Sequence, residues 1–287
     1  VTGSASNTNY TVTVDGMNKL TVNPKELKAN DLELTGSFVK TYDGNVNATA
    51  VGAHVKSGVL VGNDTLNITG SAVYNSEDVK DANSITFTPN AITEGNYRLA
   101  AAEKVTVTEG VKINRRTITI ASLQATSKQY DGDTTAYSCI TSVTFNGLQN
   151  GEELVSGTDY TVAGVFDEAD VGERTVTVTV TMRDTAKAKN YQLEKTTATA
   201  TATITPVQTT LELTAKDAVY TGSAYDAKNI SKVSNVNDAP VYTYYADNNG
   251  EKGAKLDGAP VNAGTYWVEG YIAASGNNSA VTSDAVQ

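Results

Sequence analysis

The chain has 287 residues, a formal net charge of −10 and one cysteine, Cys139. That length accommodates two or three domains, and the single cysteine excludes an intramolecular disulfide, so the cores must supply the stability. The acidity, spread along the chain, disfavours nucleic acid and anionic membrane as partners, because both reward basic patches. No apolar run reaches membrane-spanning length. Cys139 reads as a buried thiol rather than a nucleophile, since nothing beside it in sequence would lower its pKa.

In chain order, residues 1–24 look like an ending rather than a beginning. Asn9-Tyr10-Thr11-Val12-Thr13-Val14 followed by Leu20-Thr21-Val22-Asn23-Pro24 recurs as Asn96-Tyr97-Arg98-Leu99 with Val111-Lys112-Ile113-Asn114. It recurs again as Asn190-Tyr191-Gln192-Leu193 with Ile204-Thr205-Pro206. The opening segment therefore reads as the closing strands of a preceding repeat, and three repeats follow at 25–114, 115–206 and 207–287.

Two internal markers keep the same period of about 90 residues, the signature of an array of like modules. The first is Lys40-Thr41-Tyr42-Asp43-Gly44, written again as Lys128-Gln129-Tyr130-Asp131-Gly132 and, more loosely, as Val219-Tyr220-Thr221-Gly222. The second is Asp78-Val79, then Asp170-Val171-Gly172, then Asn262-Ala263-Gly264.

Between the markers the alternation is that of strands. Ile85/Phe87 and Val105/Val107 alternate with polar residues, and Val176-Thr177-Val178-Thr179-Val180-Thr181 does so without a break. Period-two runs bounded by Gly, Asn and Asp are half-buried strands. No apolar stripe at helical spacing persists for three turns. The expected fold is all-β, as tandem Ig-like antiparallel β-sandwich modules. The alternative, β-grasp-like modules, needs one real helix in each.

On Lys-x-Tyr-Asp-Gly, Phe166-Asp167-x-x-Asp170-Val171-Gly172, Asn190-Tyr191 and Ile204-Thr205-Pro206, the chain resembles the YDG-type repeat domains of large bacterial surface proteins. Repeat three, with Tyr220-Thr221-Gly222 and Asn262-Ala263-Gly264-Thr265-Tyr266, is more similar to the related MBG-type repeats. The resemblance implies surface display in adhesin-like proteins, with the modules as stalk, spacer or presentation segments, and it implies no chemistry. An extracellular location follows from the resemblance alone.

The recurring Tyr-Asp-Gly is expected to be a turn rather than a ligand site. Glycine takes positive φ at no cost, aspartate caps local amides, and the tyrosine covers one end of the core with its hydroxyl on backbone. Tyr42, Asp43, Gly44, Tyr130, Asp131, Gly132, Tyr220 and Gly222 are thus structural. The acids Asp167, Glu168 and Asp170, or Asp247 and Glu251, lack the alternate spacing of a calcium loop, so no metal and no cofactor is expected. His54 has no nucleophile motif near it, and no catalytic residue is assigned.

The aromatic set of repeat three is the one candidate binding feature. Parity in Tyr266-Trp267-Val268-Glu269-Gly270-Tyr271 sends Tyr266 and Val268 to the core and Trp267, Glu269 and Tyr271 to the opposite face. Host glycan, polysaccharide or a host surface protein is the partner such a face would take. Nucleic acid and membrane insertion are not expected for this segment, and the chain is expected to be a monomer.

Overall fold

The computed structural model describes residues 6–7, 10–14, 20–93, 95–227 and 230–287; Asn9 of the opening Asn-Tyr pair lies outside them. Strand makes up 47 % and helix 3 % of the structure, which is all-β with sandwich-like modules. The helical residues described are three-residue turns, Ala29–Asp31, Tyr137–Cys139 and Ala188–Asn190. None is the helix that a β-grasp module requires.

The chain forms two compact units, and the second repeat contributes to both. The first unit comprises residues 1–121, 145–161 and 180–196. Gly70–Tyr74, Ile85–Pro89 and Val105–Val107 form its central antiparallel sheet. Leu32–Gly36 pairs antiparallel with Val51–Val55. Side chains alternate faces along a strand, so Ile85 and Phe87 point inward, at 0 and 2 % exposure, while Thr86 and Thr88 do not. Leu27, Leu32, Leu99 and Ile113 are likewise buried in this unit. Burying each such side chain is worth about 1.5–3 kcal/mol.

The second unit comprises residues 122–144, 162–179 and 197–287. Here Gly172–Met182 pairs antiparallel with Thr197–Thr205, from Gly172 opposite Ile204 to Thr179 opposite Thr197. Val176 and Val178 are fully buried and pair with Ala200 and Ala198 on the adjacent strand. Repeat three builds a four-stranded sheet in the order Glu251–Lys255, Val241–Asn248, Tyr266–Ile272, Val281–Thr282. Its core gathers Ala227, Ile230, Tyr244 and Val268, with Leu213, Tyr225 and Tyr242 packed against them. The Tyr225 and Tyr244 rings meet edge to face at 6.3 Å.

Not every pairing is antiparallel. Val39–Thr41 runs parallel to Lys112–Asn114, Lys128–Gln129 to Ile204–Thr205, and Lys25–Leu27 to Tyr97–Leu99. Arg116, Thr117 and Ile118 likewise pair in parallel with Tyr191, Gln192 and Leu193. Each such pair joins an early strand of a repeat to a late strand, and parallel neighbours need a long crossover between them. The body of the repeat is that crossover.

Gly44 and Gly132 both adopt positive φ, +70° and +78°, as an Asp-Gly turn requires. Their surroundings differ. A Cβ on Gly44 would lie 2.3 Å from Asn150 Nδ2, whereas the nearest atom to one on Gly132 is the Tyr130 hydroxyl at 3.9 Å. Gly132→Ala should therefore cost only the backbone strain, about 1 kcal/mol, and Gly44→Ala about 2–3 kcal/mol, since the Asn150 contact must also give way. Denaturant melts of the two variants check this; equal losses would mean that Asn150 does not rest on the turn.

Candidate functional site

The two complete Tyr-Asp-Gly turns have the same construction. Lys40 Nζ donates to Asp43 Oδ1 at 2.7 Å and to the carbonyls of Asn45 and Asn47 at 2.6 and 3.1 Å. Lys128 Nζ donates to Asp131 Oδ1 at 2.7 Å and to the carbonyls of Asp133 and Thr135 at 2.6 and 3.2 Å. The aspartate in turn accepts the amide two residues on, Asn45 in one copy and Asp133 in the other. Each ammonium also sits over an aromatic ring, Tyr74 at 5.1 Å and Phe166 at 5.4 Å. The hydrogen bond from Lys128 holds the Asp131 carboxyl below the usual range. A lysine two residues before the tyrosine is thus a staple for the turn. Sequence reasoning missed that role, although the residue recurred in both copies. In the third copy Ala218 stands there, Ser223 N–H donates to Thr221 Oγ1, and Tyr220 is 64 % exposed.

The tyrosine does not do what its turn suggested. Tyr42 is buried at 2 % exposure, and its hydroxyl goes not to backbone but to a carboxylate of the second repeat. Within the first unit, Tyr42 donates to Glu152 Oε1 at 2.6 Å and Tyr191 donates to Glu152 Oε2 at 2.5 Å. The two rings meet edge to face at 5.3 Å. Tyr191 also accepts the Gln149 amide at 3.0 Å, and Asn150 Nδ2 donates to the Gly44 carbonyl at 2.6 Å. A carboxylate oxygen is the best acceptor available to a buried hydroxyl. Burial first, and then the bond to Glu152, raises the pKa of both tyrosines; that of Tyr191 reaches about 12. Tyr130 remains half-buried.

The second marker also meets a partner from the neighbouring repeat. Asn190 Nδ2 donates to Asp78 Oδ1 at 2.7 Å, and Asn190 Oδ1 accepts the Val79 amide at 2.9 Å. In the second unit Asn277 repeats the arrangement, donating to Asp170 Oδ1 at 3.0 Å and accepting the Val171 amide at 2.9 Å. One asparagine amide thus clasps an Asp-Val pair twice over. Of the other acids considered for a metal, Asp167 caps the Glu168 and Thr175 amides and Glu168 pairs with Arg174. Among the described residues no group of three His, Cys, Asp or Glu side chains is placed to hold a metal ion.

In the strand Tyr266–Ile272, Val268, Gly270 and Ile272 face the core, and Trp267, Glu269 and Tyr271 share the opposite face. That face is not an open aromatic pair. Trp267 is half-buried, its Nε1 donating to Asp247 Oδ1 at 2.9 Å. Glu269 accepts the Tyr245 hydroxyl at 2.9 Å and Lys252 at 3.3 Å, which hold its carboxyl below the usual range. Tyr271, 45 % exposed, is the more open of the two rings. Tyr266, expected in the core, is half-buried with its hydroxyl on the Asn262 carbonyl at 3.0 Å. The strand instead lines one side of a cleft of about 650 Å³, where Tyr266 and Trp267 face Tyr220, Tyr225 and Asp226. Tyr271 lies outside that cleft. Trp267 of the predicted aromatic set belongs to it; Tyr220, expected to be structural, was not foreseen there.

The profile of one family, the YDG domain, matches the chain twice, over residues 23–105 and 114–200. No curated protein and no solved structure matches it.

Removing Glu152 leaves two buried hydroxyls short of an acceptor. Glu152→Ala should cost about 2–4 kcal/mol, against about 1 kcal/mol for Tyr42→Phe, which leaves Tyr191 on the carboxylate. Urea titration of both variants distinguishes them. High pH provides a second measurement. Tyrosines of the unfolded chain ionise near ~10, whereas Tyr42 and Tyr191 stay neutral above that in the fold. Their contribution to stability is complete below pH 10 and is lost as pH rises toward about 12, the Tyr191 value. Melting temperature should fall over that range, and less steeply in Tyr42→Phe.

Proposed function

Taking as premise that the chain belongs to the YDG domain family, of which it carries two tandem copies, we propose that it is a non-catalytic, extracellular segment of a bacterial surface adhesin. It serves as a spacer that presents a distal binding domain. One observation carries the reading: of the residues that recur from repeat to repeat, Lys40, Lys128, Tyr42, Asn190 and Asn277 spend their polar groups within the protein. Lys40 and Lys128 close their own turns, Tyr42 reaches Glu152, and Asn190 and Asn277 clasp Asp78 and Asp170. Recurring residues directed at a ligand would leave donors and acceptors facing solvent. Here Tyr42, Asn190 and Asn277 hold repeat to repeat, which is what a spacer under load needs.

A second reading rests on the aromatic cleft of repeat three. Tyrosine and tryptophan rings beside a carboxylate are groups on which sugar rings stack and hydrogen-bond. The Tyr220, Tyr266, Trp267 and Asp226 set supports a glycan-binding module more directly than Tyr271 does.

Surface display separates the two. Inserted between a cell-wall anchor and a small antigen-binding domain, the chain should raise antigen capture by intact cells above that of the directly anchored domain. Capture no better than the direct fusion would count against the spacer. On a glycan array the natural chain should retain nothing. A retained glycan lost in Tyr220→Ala but kept in Tyr271→Ala would move the function to the cleft.

A further inference from the structure

The first repeat carries the same receiving face as the second, and among the described residues nothing fills it. In repeat two, Arg116 Nε donates to the Gly147 carbonyl, and the Tyr191 hydroxyl accepts the Gln149 amide and donates to Glu152. In repeat one, Lys25 Nζ donates to the Val59 carbonyl at 2.7 Å. The Tyr97 hydroxyl accepts the Val61 amide at 2.8 Å and donates to Asp64 Oδ2 at 2.9 Å. The registers agree as well, with Lys25 opposite Tyr97 and Arg116 opposite Tyr191, both in parallel pairs.

Occupancy is what differs. The second oxygen of Glu152 holds the Tyr42 hydroxyl, and Asn190, 2 % exposed, holds Asp78 and Val79. The counterparts Asp64 and Asn96 are exposed, and neither Asp64 Oδ1 nor the Asn96 amide group has a partner among the described residues. Between them lies a cleft of about 440 Å³ lined by Asn63–Leu66 and Gly95–Tyr97.

A separate element is incomplete in the same way. The closing strands Lys112–Asn114 and Thr197–Thr205 each take a parallel partner from a Lys-x-Tyr segment, and the carbonyls of Asn114 and Thr205 accept the amides of Tyr42 and Tyr130. Leu20–Val22 is their counterpart in sequence. Among the described residues it pairs with Tyr10–Val14 alone and ends its sheet. Ile113 and Ile204 are fully buried, whereas Val22 is 55 % and Leu20 63 % exposed. An unpaired apolar edge is a template for another strand.

We propose that this face docks a further YDG module through that module's Lys-x-Tyr-Asp-Gly and Asp-Val segments. Its Lys-x strand adds in parallel to Leu20–Val22, its tyrosine amide meets the Asn23 carbonyl, its hydroxyl takes the free oxygen of Asp64, and its Asp-Val pair is clasped by Asn96. The complementarity is that of the Tyr42–Glu152 and Asp78–Asn190 contacts, transposed by one repeat. A second copy of this chain is a poorer occupant. Its Tyr42, Asp78 and Asp170 are already engaged, and repeat three offers Ala218 for the lysine and Asn262-Ala263-Gly264 for the Asp-Val pair.

The test inserts a duplicate of residues 25–114 between Pro24 and Lys25 of the full chain, which places the donor segments ahead of Asp64 and Asn96, with the closing strand of the inserted copy, equivalent to Lys112–Asn114, in the place of Leu20–Val22. In the natural chain Asn190→Ala should lower the melting temperature by roughly 2–4 °C, and Asn96→Ala should leave it unchanged. In the extended chain Asn96→Ala should lower it as Asn190→Ala does. It should also cost the Val79 amide of the inserted copy its hydrogen-exchange protection, by at least about tenfold. The proposal is overturned if Asn96→Ala is silent in the extended chain, or if it already destabilises the natural one. An inserted copy that fails to fold overturns it too, because the same sequence folds ahead of Arg115. Sedimentation of the natural chain should show a monomer; a dimer abolished by Asn96→Ala would make a second copy the occupant and reject the one named here.

Discussion

One carboxylate fixes the arrangement of the first unit. Glu152 accepts the hydroxyls of Tyr42 and Tyr191, which come from different repeats, and brings their rings into edge-to-face contact. Charge-assisted hydrogen bonds contribute about 1.5–3 kcal/mol each, but the larger constraint is the cost of leaving any member alone. A buried phenol without an acceptor, or a carboxylate without donors, is worse than an apolar replacement of the pair. Tyr42 must therefore enter its pocket at one depth, and the turn behind it must hold that depth. That requirement accounts for the local chemistry of the turn: Lys40 bonded to Asp43 and to the carbonyls of Asn45 and Asn47, Asp43 capping Asn45, Gly44 at φ +70°, and Asn150 resting on the Gly44 carbonyl.

The second unit shows what remains when the carboxylate is lost. Asn278 stands where Tyr97 and Tyr191 stood, and with it goes the hydroxyl that positioned the acid. Tyr130 is left half-buried, although its turn is stapled by Lys128 as firmly as the first. Only the asparagine clasp persists, Asn277 to Asp170 and Val171. Repeat three then departs further. Its own turn has neither lysine nor aspartate, and the tyrosine of that turn faces an open cleft. The clasp and the tyrosine plug are separable devices, and loss of the plug is accompanied by the appearance of an aromatic cleft.

Much of this was legible in the sequence, for a physical reason. Side-chain alternation along a strand is a local property, so Ile85/Phe87, Val176/Val178 and the Val268 face of Tyr266–Ile272 could be assigned from neighbours alone. Positive φ at Gly44 and Gly132 is likewise local. The illegible part is non-local. Nothing near Gly151-Glu152-Glu153 distinguishes Glu152 from the other 31 of the chain's 32 acids; what selects it is the fold that carries Tyr42 to it. The parallel pairings were missed because strand direction leaves no trace in a period-two pattern. Trp267 was assigned the correct face but the wrong environment, since its indole finds Asp247 on the adjacent strand Val241–Asn248.

The two markers teach the most general point. Asp78-Val79 and Asn190-Tyr191 were each visible as recurring segments, and nothing in the sequence joined one to the other. The structure makes them two halves of one contact, an Asp-Val pair from one repeat held by the asparagine of the next. A contact between adjacent modules forces both halves to recur at the module period, just as a shared ligand site would. Recurrence therefore cannot tell a junction from a binding site; solvent can. Where the recurring groups satisfy one another, as at Asn190 and Asn277, the motif belongs to the junction. Where such groups stand exposed with no partner among the described residues, as at Asp64 Oδ1 and the Asn96 amide, the motif marks the proposed junction with a further module.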